Sequence, residues 1–325
     1  MPAFPRYESM VTDIDSAILE TQRQINKMIG EMPSPDVHTP EGLATLREMT
    51  HPPQGSIELA PTDITIPGPG GDLRLHVFVP EAPVRGVLLR IHGGGWCAGA
   101  PEDDETLNDH LARTCGLVVV SPEYRVAPES TMLDSIADCV AAARWVGAQA
   151  RERFGTRTVM LGGISAGAHL AAATLLRTRD EGDPFFAALV GVHLDCGSYD
   201  VSGTPSVRAT DETSLILTHR LLFGMIDIAL PGTDPEGRRD PKISPLYADL
   251  TGLPPALFTV GALDPLSDDS RFMAARWQAA GNHAELDVWP EGAHSFTNLS
   301  GALADLALAR TTSWINAILA ATERG

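Results

Sequence analysis

Short β-rich runs alternate with helical stretches along most of this chain, and that alternation restricts the available folds more than any other feature. From about residue 86 onward, each run rich in valine, leucine and isoleucine leads into a helical pattern. Such alternation is typical of βαβ units and a mostly parallel sheet. The predicted strands are VLLRIH, LVVVS, TVMLGGI, ALVGVHL, ALFTVGA and AELDVW, and the predicted helices lie near 105–114, 134–150, 166–179, 267–280 and 302–321.

Two segments lie outside this alternation and predict additions to the sheet. Residues 1–50 are expected to form short helices, because isoleucines and methionines recur there at near-helical spacing and Thr39-Pro40-Glu41 resembles a helix start. Residues 198–235 are polar, rich in glycine and proline, and end in the amphipathic stretch LILTHRLLFGMIDIAL. We expect both segments to pack over the carboxyl end of the sheet as a helical cap.

The sheet is expected to begin near Ser56, where SIELAPTDITIP and LRLHVFVP alternate like two antiparallel strands around the turn GPGGD. The predicted fold class is therefore α/β, with a mostly parallel central sheet flanked by helices. Its predicted organisation is a helical cap segment at 1–55, a first part of the core at 56–197, a cap insertion at 198–235 and a second part of the core at 236–325.

The charge of the chain excludes some classes of partner. The 325 residues carry a formal net charge of -18, which disfavours nucleic acid and anionic membranes, because phosphate binding needs clustered Lys and Arg. No apolar run approaches the roughly 18 residues that span a bilayer. The first residues show no secretion-signal pattern. We expect a soluble, cytoplasmic protein without membrane insertion.

Metal and redox motifs are weakly supported. The cysteines are widely scattered and show no CxxC pairing, so buried free thiols are the favoured interpretation for Cys97, Cys115, Cys139 and Cys196. The acidic run at 102–105 is consecutive along the chain, which fits a solvated helix start better than a metal site. We expect no metal.

The pentapeptide Gly163-Ile164-Ser165-Ala166-Gly167 carries the strongest chemical signal. It follows the strand-like TVMLG and opens the helical AHLAAATLLR, which is the setting of a nucleophile elbow. The flanking glycines avoid side-chain clashes in a sharp strand-to-helix turn, and the serine hydroxyl then projects above the sheet. The alternative is that Ser165 only caps the following helix. That interpretation leaves both glycines unexplained.

A second motif, His92-Gly93-Gly94-Gly95-Trp96, directly follows the predicted strand VLLRI. Glycines at the end of a strand allow several backbone N–H groups to point into one cavity, as the developing oxyanion of an ester requires. The alternatives are a flexible turn or a phosphate cradle. A cradle is disfavoured because the GK[ST] ending and basic surroundings are missing.

A serine hydroxyl needs a neighbouring base, and the base needs an orienting acid. Asp264 follows the strand ALFTVGA, and His294 follows the strand AELDVW. Because parallel strands present their carboxyl ends at one edge of a sheet, we expect both side chains beside Ser165. The chain order Ser, Asp, His is also that of α/β-hydrolases.

Other residues compete for these two roles. Near Asp264, the carboxylates of Asp268 and Asp269 follow a turn entering a helix, where acids favour the first helical turn. The competing histidines are expected to be packed or surface residues: His169, His193 and His283.

The motifs HGGGW, YRVAPE, GISAG, DPLSD and GAHSF occur together and in this order. With them, residues 56–325 resemble the hormone-sensitive-lipase-like branch of the α/β-hydrolases, the bacterial esterase family IV, and residues 1–55 resemble its amino-terminal cap. The resemblance implies a triad of Ser165, Asp264 and His294. It also implies an oxyanion hole formed by the N–H groups of Gly94, Gly95 and Ala166, and a structural role for His92.

Three positions depart from the family pattern. Ile164 stands where relatives usually carry Asp or Thr, HSF replaces HGF around His294, and SPEYRVAPE replaces DYRLAPE. None of these changes removes a reacting atom. They bear on the detail of the pocket and on the subgroup of the family, and through the subgroup on the mode of homodimer formation that the resemblance implies.

The expected function is a serine carboxylesterase that hydrolyses short- to medium-chain acyl esters without metal or organic cofactor. Trp96, beside the oxyanion glycines, is expected to border a narrow apolar substrate pocket. The competing functions are a ligand-binding receptor on the same fold, which typically lacks a triad member, and an amidase or thioesterase with identical machinery. The expected partner is a small-molecule ester.

Overall fold

The computed structural model describes residues 8–11, 13–51, 55–81 and 83–324. The strands in this part of the chain are β1 (Glu8–Met10), β2 (Thr62–Gly68), β3 (Gly71–Phe78), β4 (Gly86–Ile91), β5 (Leu117–Pro122), β6 (Val159–Ile164), β7 (Leu189–Asp195), β8 (Ala256–Gly261) and β9 (Ala284–Trp289). The helices are α1 (Ser16–Gly30), α2 (Pro40–Met49), α3 (Glu105–Cys115), α4 (Met132–Phe154), α5 (Ala166–Asp180), α6 (Pro184–Ala188), α7 (Pro205–Arg208), α8 (His219–Ala229), α9 (Ser267–Ala279) and α10 (Ala302–Glu323).

The described strands form one sheet in the order β1-β9-β8-β7-β6-β4-β5-β3-β2. Strand β3 runs antiparallel to its neighbours β2 and β5, and the other neighbouring pairs are parallel. The predicted α/β class with a mostly parallel sheet is therefore confirmed. The carboxyl ends of β6, β8 and β9 lie at the same edge of the sheet. Ser165, Asp264 and His294 lie in the segments that follow these three strands, in that order.

The predicted elements agree with the observed ones over most of the chain. Each of the predicted strands is present as β2 to β9, and the predicted helices from 105 to 321 correspond to α3, α4, α5, α9 and α10. The alternation works as a predictor here because the central strands β4, β5, β6 and β8 are buried along their whole length. Their sequences are mostly apolar up to the end of the strand, and the buried Arg90 in β4 is a charged exception.

Two expectations about the added segments need correction. Residues 1–50 are not wholly helical, because Glu8–Met10 form a short strand that pairs with Leu286–Val288 of β9. That pairing joins distant parts of the chain, so local periodicity does not reveal it. The amphipathic stretch 215–230 is helical only from His219, because Ile216 has a φ of 65° and Thr218 caps the helix through the N–H of Leu221.

The start of α5 lies unusually close to the end of β4. A Cβ at Gly167 would lie 2.1 Å from the carbonyl oxygen of Ile91 and 2.3 Å from that of His92. A Cβ at Gly163 would lie 2.3 Å from the carbonyl oxygen of Gly167. Only glycine fits at these two positions, so the GxSxG spacing is required by the packing of helix against strand.

The cysteines follow the prediction of buried free thiols. All four are buried and unpaired by disulfides: Cys97, Cys115, Cys139 and Cys196. None of the helices in the described ranges is both long and apolar enough to cross a membrane.

The Gly167 packing predicts a large stability effect. Gly167→Ala should lower the free energy of unfolding by about 3 kcal/mol or more, because the new methyl group meets backbone atoms that cannot rotate away. Urea unfolding followed by circular dichroism measures this change. Gly30→Ala is the matched control, since its Cβ would only reach ordinary contact with Leu215 at 3.4 Å. Equal unfolding midpoints for the two variants would contradict the packing argument.

Candidate active site

Ser165 occupies the turn between β6 and α5 in a strained backbone conformation, with φ 56° and ψ -123°. Its backbone N–H donates to the carbonyl oxygen of Asp195 at 2.8 Å, which fixes the turn to the end of β7. The side chain makes no capping hydrogen bond to α5, although Ser165 stands at the N-cap position. Instead its Oγ lies 2.8 Å from Nε2 of His294. The helix-cap interpretation of this serine therefore fails.

His294 links Ser165 to Asp264. Its Nδ1 lies 2.9 Å and 3.1 Å from the two carboxylate oxygens of Asp264. An ionised carboxylate only accepts, so Nδ1 carries the proton and Nε2 presents a lone pair to the serine hydroxyl. Asp264 is itself held by the backbone N–H of Leu266, which donates to Oδ1 at 2.8 Å. The predicted Ser165, His294 and Asp264 thus form one hydrogen-bonded chain.

The competing acids have other partners. Asp269 is buried and accepts hydrogen bonds from the backbone N–H groups of Tyr199 and Asp200 and from the Thr204 hydroxyl. Burial raises the pKa of Asp269 to about 7. Asp268 accepts from the N–H of Ser206 at 2.9 Å. Both acids hold the loop after β7 in place.

The competing histidines contact partners other than Ser165. His193 is within 3.2 Å of the Thr259 hydroxyl, and burial lowers its pKa to about 3. His283 contacts Glu285 at 3.2 Å. His169 lies one turn after Ser165 on α5, but its Nε2 is 2.6 Å from the carbonyl oxygen of Ile243. His294 is the histidine that the structure brings to Ser165.

The glycine loop after β4 lies beside Ser165. Gly94 and Gly95 have φ values of 116° and 60°, a region that glycine enters without strain. Both residues border the same cavity as Ser165 and Ala166. Across the described ranges, no residue accepts a hydrogen bond from the N–H of Gly94 or Gly95.

His92 shapes the start of this loop. Its ring is buried, stacks on Tyr124 with centroids 4.2 Å apart, and donates from Nδ1 to the carbonyl oxygen of Gly93 at 2.8 Å. Burial lowers the pKa of His92 to about 4, so the ring is neutral. The Tyr124 hydroxyl donates to the carbonyl oxygens of His92 and Gly93. These contacts agree with a structural role for His92.

Trp96 borders the cavity, but its indole is only 2% exposed. Its Nε1–H donates to Nδ1 of His169 at 3.0 Å, and the two rings meet edge to face. His169 accepts because burial lowers its pKa to about 4 and keeps it neutral. Trp96 thus lies at the cavity, as expected, and its side chain also joins the glycine loop to α5. Its role in limiting the substrate pocket stays a prediction.

The wall beside the glycine loop comes from α8. The Sδ atom of Met225 would lie 2.1 Å from a Cβ placed on Gly95. Sequence reasoning did not single out Met225, although the amphipathic pattern of 215–230 predicts an apolar face there. The cavity has a volume of about 410 Å³, and its apolar lining comes mainly from α1, α2, α8 and the residues before α8: Ile29, Leu46, Met49, Ile216, Leu217, Leu221, Leu222 and Met225.

The acidic run at 102–105 lies near this cavity, and its charges are paired. The Arg74 guanidinium binds Glu102, which lowers the pKa of that carboxyl, and the buried Arg90 binds the buried Asp104. Asn298 also donates to Asp104 at 3.2 Å. The run therefore joins the loop after β4 to the sheet through ion pairs.

Comparison with known proteins gives the family. Residues 88–298 match the family model described as alpha/beta hydrolase fold. This chain belongs to that family. This α/β-hydrolase is 36% identical over 207 residues to an acetyl-hydrolase of Streptomyces hygroscopicus. The match covers 64% of this chain and 67% of that protein. It is 31% identical over 264 residues to the carboxylesterase NlhH of Mycobacterium tuberculosis, and the match covers 79% of this chain and 82% of that protein.

Solved structures of esterases share the fold of this α/β-hydrolase. A bacterial heroin esterase matches with a TM-score of 0.82 and 27% identity, covering 92% of this chain and 97% of that one. A hyperthermophilic esterase from the archaeon Pyrobaculum calidifontis matches with a TM-score of 0.78 and 28% identity, covering 94% and 98%. These likenesses confirm the hormone-sensitive-lipase-like branch that the motifs indicate.

The hydrogen bond between Ser165 and His294 predicts a selectively reactive serine. A fluorophosphonate should form one covalent adduct on Ser165, because His294 can take the hydroxyl proton as oxygen attacks phosphorus and fluoride leaves. Ser198 is the internal control, since it borders the same cavity. Peptide mass spectrometry locates the adduct. An adduct on Ser198, or equal labelling of both serines, would contradict the assignment of the nucleophile.

Proposed function

We propose that this α/β-hydrolase is a serine carboxylesterase that cleaves short- to medium-chain acyl esters through an acyl-enzyme intermediate. The observation that carries the proposal is the hydrogen-bonded chain from Ser165 through His294 to Asp264, whose first two members line a largely apolar cavity. The names of the relatives, an acetyl-hydrolase and a carboxylesterase, support ester chemistry.

In the proposed mechanism, Nε2 of His294 takes the proton of Ser165 as Oγ attacks the ester carbonyl. Asp264 keeps the imidazole in the Nδ1–H tautomer and stabilises the imidazolium that forms. The alcohol leaves with the proton held on Nε2. Water then enters and gives a proton to Nε2 as its oxygen attacks the acyl carbon. The bond from that carbon to Oγ breaks, Oγ takes the proton back from Nε2, and the carboxylic acid leaves.

We propose that the N–H groups of Gly94, Gly95 and Ala166 stabilise the oxyanion. One such donor contributes about 3–4 kcal/mol to the transition state in a serine hydrolase. The support is the left-handed backbone of Gly94 and Gly95, together with the position of all three residues in the lining of the cavity that Ser165 borders. The hydrogen bond from Trp96 to His169 would hold this loop while charge develops.

We also propose that the segments 1–55 and 198–235 act as a cap that sets substrate size. The lining of the cavity by α1, α2 and α8 supports this role, as does the anchoring of α2 by Arg47, which donates to the carbonyl oxygens of Cys97 and Ala127. An apolar site of this kind binds each methylene with about 0.8 kcal/mol until the chain meets the wall. The expected homodimer stays a prediction.

The central variant is Ser165→Ala. It should lower kcat for a p-nitrophenyl ester by about a millionfold, because the reaction loses its nucleophile. Ser198→Ala is the matched control and should retain most of the wild-type turnover. Circular dichroism checks that both variants are folded. A Ser165→Ala enzyme with a tenth of the wild-type rate would refute the proposed nucleophile.

The cap predicts a preference for short acyl chains. Along a series of p-nitrophenyl esters, kcat/KM should peak between about two and eight acyl carbons, since added methylenes bind until they reach the wall. Met225→Ala should move the maximum to longer chains, because it removes the side chain packed against Gly95. Met273→Ala, in the core and away from the cavity, should leave the profile unchanged. A wild-type maximum at long acyl chains would overturn the capped pocket.

A further inference from the structure

A third potential ligand lies beside His294 and Asp264. Cys196 directly follows β7, at the same sheet edge, and its sulfur, a ring nitrogen of His294 and a carboxylate oxygen of Asp264 all lie within 4.8 Å of one another. All three side chains are buried, with 1% to 4% exposure. The proposed ester mechanism uses the histidine and the aspartate but gives the thiol no task.

We propose that these three residues form an inhibitory site for a soft divalent cation such as Zn²⁺ or Cd²⁺. The inference rests on the proposed roles of His294 and Asp264. Thiolate, imidazole and carboxylate are the ligands that zinc takes in proteins, whereas Mg²⁺ prefers an all-oxygen shell. One thiolate and one carboxylate also neutralise a divalent charge, which a buried site requires.

The position of the cation explains the inhibition. The nitrogen that faces Asp264 is Nδ1, at 2.9 Å, so a cation bound between them replaces the proton there. That proton moves to Nε2, and the imidazole stays neutral. Nε2 then donates toward Oγ of Ser165 and cannot accept the proton of the hydroxyl. The thiol of Cys196 loses its proton to water, so one proton is released for each cation bound.

The cavity reaches the proposed site at His294. His294 and Ser295 both border the cavity, and Oγ of Ser295 lies 3.5 Å from the sulfur of Cys196. Ser295 stands in a left-handed conformation with φ 52°, and Cys196 has φ 41°. Oγ of Ser295 is therefore close enough to the sulfur to take a fourth position around the cation, which a water would otherwise fill.

Another buried thiol provides the comparison. Cys115 is also buried and has polar neighbours, Thr114 at 3.8 Å and Asn316 at 3.7 Å. Among the described residues, Cys115 belongs to no group of three potential metal ligands, whereas Cys196 does. Cys115 therefore serves as the matched control for adventitious binding to a buried thiol.

The test is a Cd²⁺ titration of the full chain, followed by the ultraviolet charge-transfer absorption of the cadmium–thiolate bond and by ester turnover. Both signals should saturate at one Cd²⁺ per protein with the same midpoint and reverse with EDTA, and Mg²⁺ should produce neither. Cys196→Ser should abolish the absorption and raise the half-inhibiting Cd²⁺ concentration at least tenfold. Cys196→Ala should give the same result as Cys196→Ser, with its fold checked by circular dichroism. Cys115→Ser should match the wild type in both absorption and inhibition.

The proposal is wrong if the Cd²⁺ absorption survives in both Cys196 variants. It is also wrong if the half-inhibiting Cd²⁺ concentration of these variants equals that of the wild type. Binding at Cys196 without loss of turnover overturns it as well, because a cation on Nδ1 must stop the base. The Ser165→Ala variant distinguishes failure of the cation site from failure of the proposed ester mechanism. Its serine is not a ligand, so its Cd²⁺ absorption should persist although its turnover is lost.

Discussion

The close approach of α5 to the end of β4 governs the geometry at the nucleophile. Because Gly163 and Gly167 carry no side chains, the helix starts against the carbonyl oxygens of Ile91 and His92. The chain can make that turn only by placing Ser165 at φ 56°. A conformation of this kind costs about 1–3 kcal/mol and persists because its surroundings enforce it. The strain leaves the Ser165 hydroxyl free of the helix and directed to His294.

The sheet supplies the rest of the site. Parallel strands end at one edge, so residues that are far apart in the chain become neighbours when they follow β6, β8 and β9. The separation between Ser165 and His294 is 129 residues, yet their side chains are 2.8 Å apart. The loop after β4 reaches the same edge because β4 is the neighbour of β6. The proposed chemistry therefore depends on strand order more than on any local motif.

Much of this arrangement could be predicted from the sequence, for reasons that particular residues make clear. Buried parallel strands leave continuous apolar runs, and Asp264 and His294 could be selected because each follows such a run. The strand at Glu8–Met10 could not be predicted, because its partner β9 lies at the other end of the chain. The direction of the Trp96 indole was also beyond sequence reasoning, since it depends on His169 of a different element. The same holds for Cys196, whose neighbours belong to the loops after β8 and β9.

The most direct measurement is to trap the acyl-enzyme. When a p-nitrophenyl ester is mixed with the enzyme and quenched with acid in the first turnover, we expect a nitrophenolate burst close to one per active site. Intact mass should then increase by one acyl group, and peptide mapping should place it on Ser165. A burst without acylation, or an acyl group on another residue, would contradict the claim that Ser165 is the nucleophile activated by His294.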